Sequence, residues 1–356
     1  MAGVKFKSVS KRWGDVVGVR DLDLDVIDQE FLVLLGPSGC GKTTTMRMVA
    51  GLEDPSGGEI WIGDDLVNDM PPRERDVAMV FQNYGLYPHM SVRDNIGYPL
   101  KVRGIAKAKA REMVDAAAAK VELGPYLERR PGQLSGGQRQ RVALARSLVR
   151  TPRVVLMDEP LSNLDAKLRV TMRAELKHFH HELAITTIYV THDQIEAMTL
   201  AHRVAVMSEG VIKQLATPSV IYDQPANLFV AAFIGSPAMN LISGALEDGA
   251  FVAPGIRIGN VGEGTRAAIV LGVRPEDTTV TAPGVGEIAG AIYASELTGD
   301  SVLVTANAGP ARIIAKADRA YRGDVGANIG LTVNRSRLHL FDKSTTERIV
   351  RPGGAD

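Results

Sequence analysis

Residues Gly36-Pro-Ser-Gly-Cys-Gly-Lys-Thr43 constrain this chain more than any other segment. They fit the pattern G-x-x-x-x-G-K-[ST], following the apolar run Phe31–Leu35, which suits a strand buried on both faces, and preceding a helix that starts near Thr43. Strand, glycine-rich loop and helix in that order form a phosphate-binding element. Gly36, Gly39 and Gly41 let the backbone around Pro37, Ser38 and Cys40 turn its N–H groups inward, and the helix N-terminus faces the negative charge. Lys42 reaches the terminal phosphates, the Thr43 hydroxyl can bind Mg2+, and Thr44 continues the helix start. Cys40, the single cysteine, is read as a small space-filler with no redox role; it permits no internal disulfide, in agreement with a reducing compartment.

A second strand-like run, Val154-Val-Leu-Met157, ends in Asp158-Glu159-Pro160. In an open α/β sheet ligands bind at the C-terminal ends of strands. The two acids are adjacent, so along the strand they point to opposite sides and do different work: Asp158 helps to hold Mg2+, and Glu159 orients and deprotonates an attacking water. Helical patterns cover Lys107–Leu123, Gln138–Arg150 and Lys167–Leu183, the last with Leu168, Met172, Leu176 and Phe179 at helical spacing. Leu134-Ser-Gly-Gly-Gln138 precedes one of them, so Ser135 and the glycines make a second helix N-terminus with exposed donors. Alternation of such elements predicts a mostly parallel sheet flanked by helices.

Beyond Gly235-Ser-Pro-Ala-Met-Asn240 the pattern changes to short stretches, Ala268–Val273, Ile288–Ala294, Ser301–Thr305 and Ile329–Val333, separated by glycine, proline and aspartate clusters. Two domains are therefore expected, an α/β unit over 1–235 and a smaller all-β barrel or sandwich over 236–356, and 356 residues suffice for two cores. Lysine plus arginine equals aspartate plus glutamate at 41 each, which removes the basic excess of a dedicated nucleic-acid binder or polybasic membrane anchor. No apolar run approaches the roughly 20 residues that span a bilayer. The N-terminus carries charges where an export signal needs an apolar core.

In order, the phosphate loop, Gln82 after Met79-Val-Phe81, Leu134-Ser-Gly-Gly-Gln138, Asp158-Glu159, Asp165 in Leu161-Ser-Asn-Leu-Asp-Ala166 and His192 in Tyr189-Val-Thr-His-Asp193 resemble the ABC ATPase family. The resemblance implies that Gly36–Thr43 is the Walker A loop and that Asp158 and Glu159 are the Walker B metal ligand and catalytic base. It implies that Gln82 contacts Mg2+ or water and senses a membrane subunit, that Asp165 is the D-loop residue, and that His192 contacts the γ-phosphate. Trp13 is similar to the aromatic residue that stacks on adenine. Lys42, Gln82, Glu159 and His192 are thus the catalytic set, and Thr43, Gln82 and Asp158 the metal set. Ser135, Gly136, Gly137 and Gln138 close over nucleotide held by a second copy of the chain, so that ATP holds two cassettes together and hydrolysis releases them.

The tail extends the resemblance, because Gly235–Asn240, Leu271-Gly-Val-Arg-Pro-Glu-Asp277 and Glu296-Leu-Thr-Gly-Asp300 look like the OB-like regulatory domain of bacterial carbohydrate importer ATPases, the maltose and glycerol-3-phosphate group. That group implies a homodimer at the cytoplasmic face of the cell membrane, working with two permease subunits and, through them, an extracytoplasmic solute-binding protein, with no nucleic-acid partner. Two other readings compete: the same role with a polyamine or metal cargo, and a soluble mechanical ABC ATPase. Against the latter stand the single cassette and the lack of sustained heptads between Thr43 and Leu134. The tail could in addition capture a regulator. His178, His180 and His181 are read as a solvated helix end, Arg139, Arg141, Arg146 and Arg150 as interface and surface charge, and Asn83–Met90 as a docking loop for a membrane subunit.

Overall fold

The computed structural model describes residues 2–350, and the chain divides into two compact units, Met1–Pro218 and Ser219–Asp356. In the first unit, β1 (Val4–Trp13), β2 (Val16–Val26), β4 (Gly57–Ile62) and β5 (Asp65–Leu66) make an antiparallel sheet in the order β2-β1-β4-β5. A second sheet contains β3 (Phe31–Leu35), β6 (Val77–Val80), β7 (Val154–Asp158), β8 (Thr186–Thr191), β9 (Arg203–Ser208) and β10 (Val211–Ala216), ordered β10-β9-β3-β8-β7-β6. Only β10 runs antiparallel to its neighbour.

All five residues of β3 are at most 1% exposed. A strand covered on both faces must be apolar throughout, and each such side chain contributes roughly 1.5–3 kcal/mol of burial. One apolar cluster joins Phe6, Leu24 and Ile60 of the antiparallel sheet to Leu32 and Leu34 of β3 and to Met46 and Val49 of α1 (Lys42–Ala50). The phosphate loop is thus held from both sides. Helices α2 (Val92–Val102), α3 (Lys107–Lys120) and α4 (Gly136–Leu148) follow, then α5 (Ala166–Leu183) and α6 (Gln194–Leu200).

The second unit begins with α7 (Pro218–Asp223, whose first residue belongs to the preceding unit) and α8 (Leu228–Phe233), followed by strands and two single 3-10 turns, Pro275–Asp277 and Arg335–Arg337. The strands are β11 (Asn240–Glu247), β12 (Ala250–Ala253), β13 (Ile256–Ile258), β14 (Arg266–Val273), β15 (Thr278–Thr281), β16 (Ile288–Leu297), β17 (Ser301–Ala308), β18 (Ala311–Asp318), β19 (Asn328–Val333), β20 (His339–Asp342) and β21 (Arg348–Ile349). Every pairing between them is antiparallel, and Phe251, Leu271, Val304 and Leu331 share the main core, while Val270 and Phe341 pack with Ala231 and Met239 in a second cluster. The segments singled out in the sequence act as bolts. Asn240 exchanges two hydrogen bonds with the backbone of Ile314, at 2.7 and 2.8 Å. Arg274 is 2% exposed, donates to the carbonyls of Ile234 and Tyr222, and lies 3.6 Å over the Tyr222 ring.

Two sequence expectations need correction. The histidines near the end of α5 are not a uniform solvated face: His178 pairs with Glu182 at 3.2 Å and His181 is exposed, but His180 turns inward against Phe31 and His202, with a buried and unpartnered Nε2. It lies about half a turn from His178 and about a quarter turn from His181, on the stripe that carries Met172 and Leu176. The arginines after Leu134 are mostly internal fasteners: Arg141 pairs with Glu175 and Glu122, Arg150 donates to the Val77 carbonyl, and Arg146 to the carbonyls of Tyr84 and Gly85.

Burial, and then the neighbouring His202, lower the His180 pKa from 6.5 to about 4. Between those values the unfolded chain binds a proton that the native chain refuses, so the contribution is whole above pH 6.5 and is lost as pH falls toward 4. Thermal melts across this range should show a smaller loss of Tm in His180→Leu than in the wild type; equal losses would mean that His180 is not a source of acid sensitivity.

Candidate functional site

The geometry of the site follows from strand register. Leu35 of β3 lies beside Thr191 of β8, Val190 of β8 beside Asp158 of β7, and Met157 beside Val80 of β6. The four loops that follow these parallel strands therefore leave one edge of the sheet in a row: the phosphate loop, the His192 turn, the Asp158-Glu159 corner and the Gln82 loop.

Helix α1 differs from α4, α5 and α6 in how it starts. Ser135, Asp165 and Asp193 cap α4, α5 and α6 with side-chain oxygens, whereas α1 has Gly41 at its N-cap, with φ 102° and no side-chain bond. Its first N–H groups keep their donor capacity, which suits phosphate oxygens. A Cβ on Gly41 would lie 2.5 Å from the Gly18 carbonyl oxygen, and one on Gly36 would lie 2.3 Å from that of Met207, so the loop is tight as well as strained. Lys42 is 5% exposed and donates to the Gly36 and Pro37 carbonyls, both at 2.8 Å, with Cys40 Sγ at 3.6 Å. Its ammonium is held at the mouth of the loop by neutral acceptors, which a phosphate oxygen can outcompete.

Thr43 Oγ1 donates to Asp158 Oδ1 at 3.2 Å, although 115 residues separate them. Burial lifts the Asp158 carboxyl above its ordinary range, the Thr43 bond opposing it. A hydroxyl and a desolvated carboxylate are hard oxygen donors of the kind that Mg2+ takes while keeping other positions for phosphate and water. No group of three or more His, Cys, Asp and Glu placed to hold a metal ion occurs among the described residues.

Glu159 departs from the alternation expected of a strand. β7 ends at Asp158, and Glu159 adopts φ 43° while its N–H still bonds the Val190 carbonyl. A non-glycine residue held there costs about 1–3 kcal/mol, and the turn re-aims its carboxylate. Oε1 comes to 3.0 Å from His192 Nδ1, within reach of a bond in which Nδ1–H donates to the carboxylate. Ser162 and Asn163, which spacing alone did not mark, complete the corner. Ser162 Oγ donates to the Glu159 carbonyl at 2.8 Å and accepts from Gln82 Nε2 at 3.2 Å, while Asn163 Nδ2 donates to the Gln82 carbonyl at 2.9 Å.

Other candidates lie apart from this corner. Trp13, at the end of β1, is 46% exposed with Lys11 Nζ 5.3 Å over its ring; Lys11 and, secondarily, the Trp13 indole hold the Glu53 carboxyl below its ordinary value. Ser135 and Gln138 form a reciprocal capping box. Gly136 and Gly137 pack so that added Cβ atoms would meet Leu164 at 2.9 Å and Leu168 at 3.0 Å. Asp165 accepts from Leu168 N at 2.9 Å.

Comparison with known proteins bears on the family and the fold. Residues 19–162 match the ABC transporter family model and residues 235–278 the MalK OB fold domain. The chain is 48% identical over 356 residues to the sn-glycerol-3-phosphate import ATP-binding protein UgpC of Salmonella typhi, and 46% identical over 375 residues to the trehalose/maltose import ATP-binding protein MalK of Thermococcus litoralis; each alignment covers 98% of this chain and 100% of the relative. A dimeric ATP-binding cassette in a post-hydrolysis state bound to ADP and Pi superposes with a TM-score of 0.54 at 29% identity, covering 60% of this chain and 98% of that one.

Gly41→Ala should lower nucleotide affinity by roughly tenfold to a hundredfold, the equivalent of ~1–3 kcal/mol of strain. Titration with a fluorescent ATP analogue checks this, circular dichroism serving as the control for folding; affinity within about twofold of wild type would show that the loop absorbs the methyl group.

Proposed function

The chain belongs to the ABC transporter family of import ATP-binding proteins and is an ATPase, and from that premise we propose that it energises bacterial uptake of a carbohydrate or related solute through ATP-driven pairing of two cassettes. Near-full-length identity to importer subunits for sn-glycerol-3-phosphate and for trehalose or maltose supports the cargo class. No helix among the described residues is long and apolar enough to cross a membrane, which fits a peripheral subunit. Its partners in this reading are a second copy, two permease subunits at the cytoplasmic face of the membrane and, indirectly, an extracytoplasmic solute-binding protein. Residues 236–356 serve regulation and dimerisation.

The 3.0 Å approach of His192 to Glu159 at the edge that also carries the phosphate loop is the observation on which the mechanism rests. Lys42 and the α1 N-terminus bind the phosphates. Thr43, Asp158 and Gln82 would hold Mg2+, which when bound would neutralise charge on the phosphate oxygens. Glu159 takes the proton of the attacking water, and His192 holds that carboxylate in place and contacts the terminal phosphate. Trp13 stacks on adenine. Residues Ser135–Gln138 of one copy close over the nucleotide of the other, with Asp165 beside them. In this site the protein supplies position and electrostatics rather than a covalent intermediate.

Glu159→Gln keeps the shape of the corner and removes the base. Hydrolysis should fall roughly 10²–10⁴-fold while ATP binding persists. A fall of less than about tenfold would remove Glu159 from the role. Affinity purification from native membranes should recover two integral membrane subunits with the tagged wild-type chain, and uptake of labelled sugar or glycerol phosphate by the reconstituted complex identifies the cargo. Recovery with ribosomes, DNA or soluble partners alone would sink the importer proposal.

A further inference from the structure

Glu159 and His192 lie on two different turns, and a guanidinium that neither strand supplies ties those turns together. Arg169 is one turn into α5, its N–H bonded to the Asp165 carbonyl at 2.9 Å. Nη2 donates to the carbonyls of Ser162 at 3.3 Å and Leu164 at 3.2 Å, inside the segment that carries Asp165. Nη1 donates to Asp193 Oδ2 at 3.4 Å, one residue after His192. Nε is buried, makes no hydrogen bond and faces Glu196 Oε1 at 4.0 Å.

On α6 Arg169 faces Asp193 Oδ2 and Glu196 Oε1, in each carboxylate the oxygen opposite the one that the local bonds take. Asp193 Oδ1 caps α6 by accepting from Ile195 N and Glu196 N, and the Asp193 N–H donates to Thr191 Oγ1 at 3.0 Å. Glu196, 2% exposed, accepts from Tyr189 Oη at 2.9 Å and Thr191 Oγ1 at 2.7 Å. What Arg169 adds is the cross-link. Ser162 touches both Gln82 and Glu159, so the guanidinium connects the segment bearing those contacts to the turn bearing His192.

We propose that Arg169 is a positioning residue for hydrolysis, setting the 161–165 segment and the His192 turn in one register so that displacement of either moves the other. The inference rests on the assignment of Glu159 and His192 as the hydrolytic pair. Removing the cross-link leaves the phosphate loop intact, so ATP should still bind while the corner loses alignment.

The experiment is single-turnover ATP hydrolysis and fluorescent-nucleotide binding on the full-length chain for Arg169→Met, Arg169→Lys, Asp193→Asn and the double variant Arg169→Met/Asp193→Asn, with Glu159→Gln and His192→Ala alongside. Asparagine retains the cap of α6 and removes the charge facing Arg169. Arg169→Met should lower the rate roughly tenfold or more with affinity within about twofold, lysine should recover part of the loss, and the double variant should lose no more than Arg169→Met alone. Should Arg169→Met not fold, the Asp193→Asn rate decides, a kcat within about twofold of wild type overturning the proposal. Rate and affinity falling together with Tm would assign a structural role only and also overturn it. Hydrolysis retained in Glu159→Gln and His192→Ala would remove the assignment beneath it, whereas loss in those two with a wild-type rate in folded Arg169→Met would remove the proposal alone.

Discussion

Everything at the candidate site depends on the parallel register of four buried strands. Parallel neighbours present their C-terminal ends to the same side of a sheet, so segments separated by as many as 156 positions, from Gly36 to His192, emerge side by side without any covalent tether. The constraint is hydrophobic before it is chemical. β3, β8 and most of β7 are buried throughout, and a slip of one residue would invert their side chains and pull the loops out of line. The sheet is therefore the device that converts a linear list of motifs into a site.

Legibility in the sequence followed the same division. Strands β3 and β7, the phosphate loop and the break into an all-β tail were readable because apolar runs, glycine spacing and turn clusters are local signals. The α5 helix was expected from Lys167 and begins at Ala166, and α4 begins two residues before Gln138, because their caps are Asp165 and Ser135. Glu159 was misplaced for a physical reason: period-two alternation assumes that the strand continues, and a left-handed residue ends it. Sequence puts His180 on a solvated helix end and the arginines after Leu134 among interface and surface charge, because composition records charge and not partners. Arg146 finds backbone carbonyls 61 and 62 positions away, a pairing that no spacing rule contains. Ser162, Asn163 and Arg169 were hidden likewise.

The helix termini show how one motif type is used for opposite ends. Where a helix start must be stable by itself, an oxygen from Ser135, Asp165 or Asp193 occupies its donors. Where it is to meet phosphate, glycine leaves them open and the stability of α1 comes from the core shared by both sheets. Arg75 fastens the other end of that helix, donating to the carbonyls of Met48 and Val49. The cost of an uncapped start is thus offset far from the loop, by burial and by a cation on the last turn.

Gly136 and Gly137 carry two requirements in the same atoms. They begin α4, and they leave only enough room for Leu164 and Leu168 to approach its backbone. Because the two leucines flank Asp165, a methyl group on either glycine would make a leucine side chain on the far side of that residue give way. The start of α4 and the segment leading into α5 therefore meet through two leucine tips, a contact that can re-pack without moving either backbone.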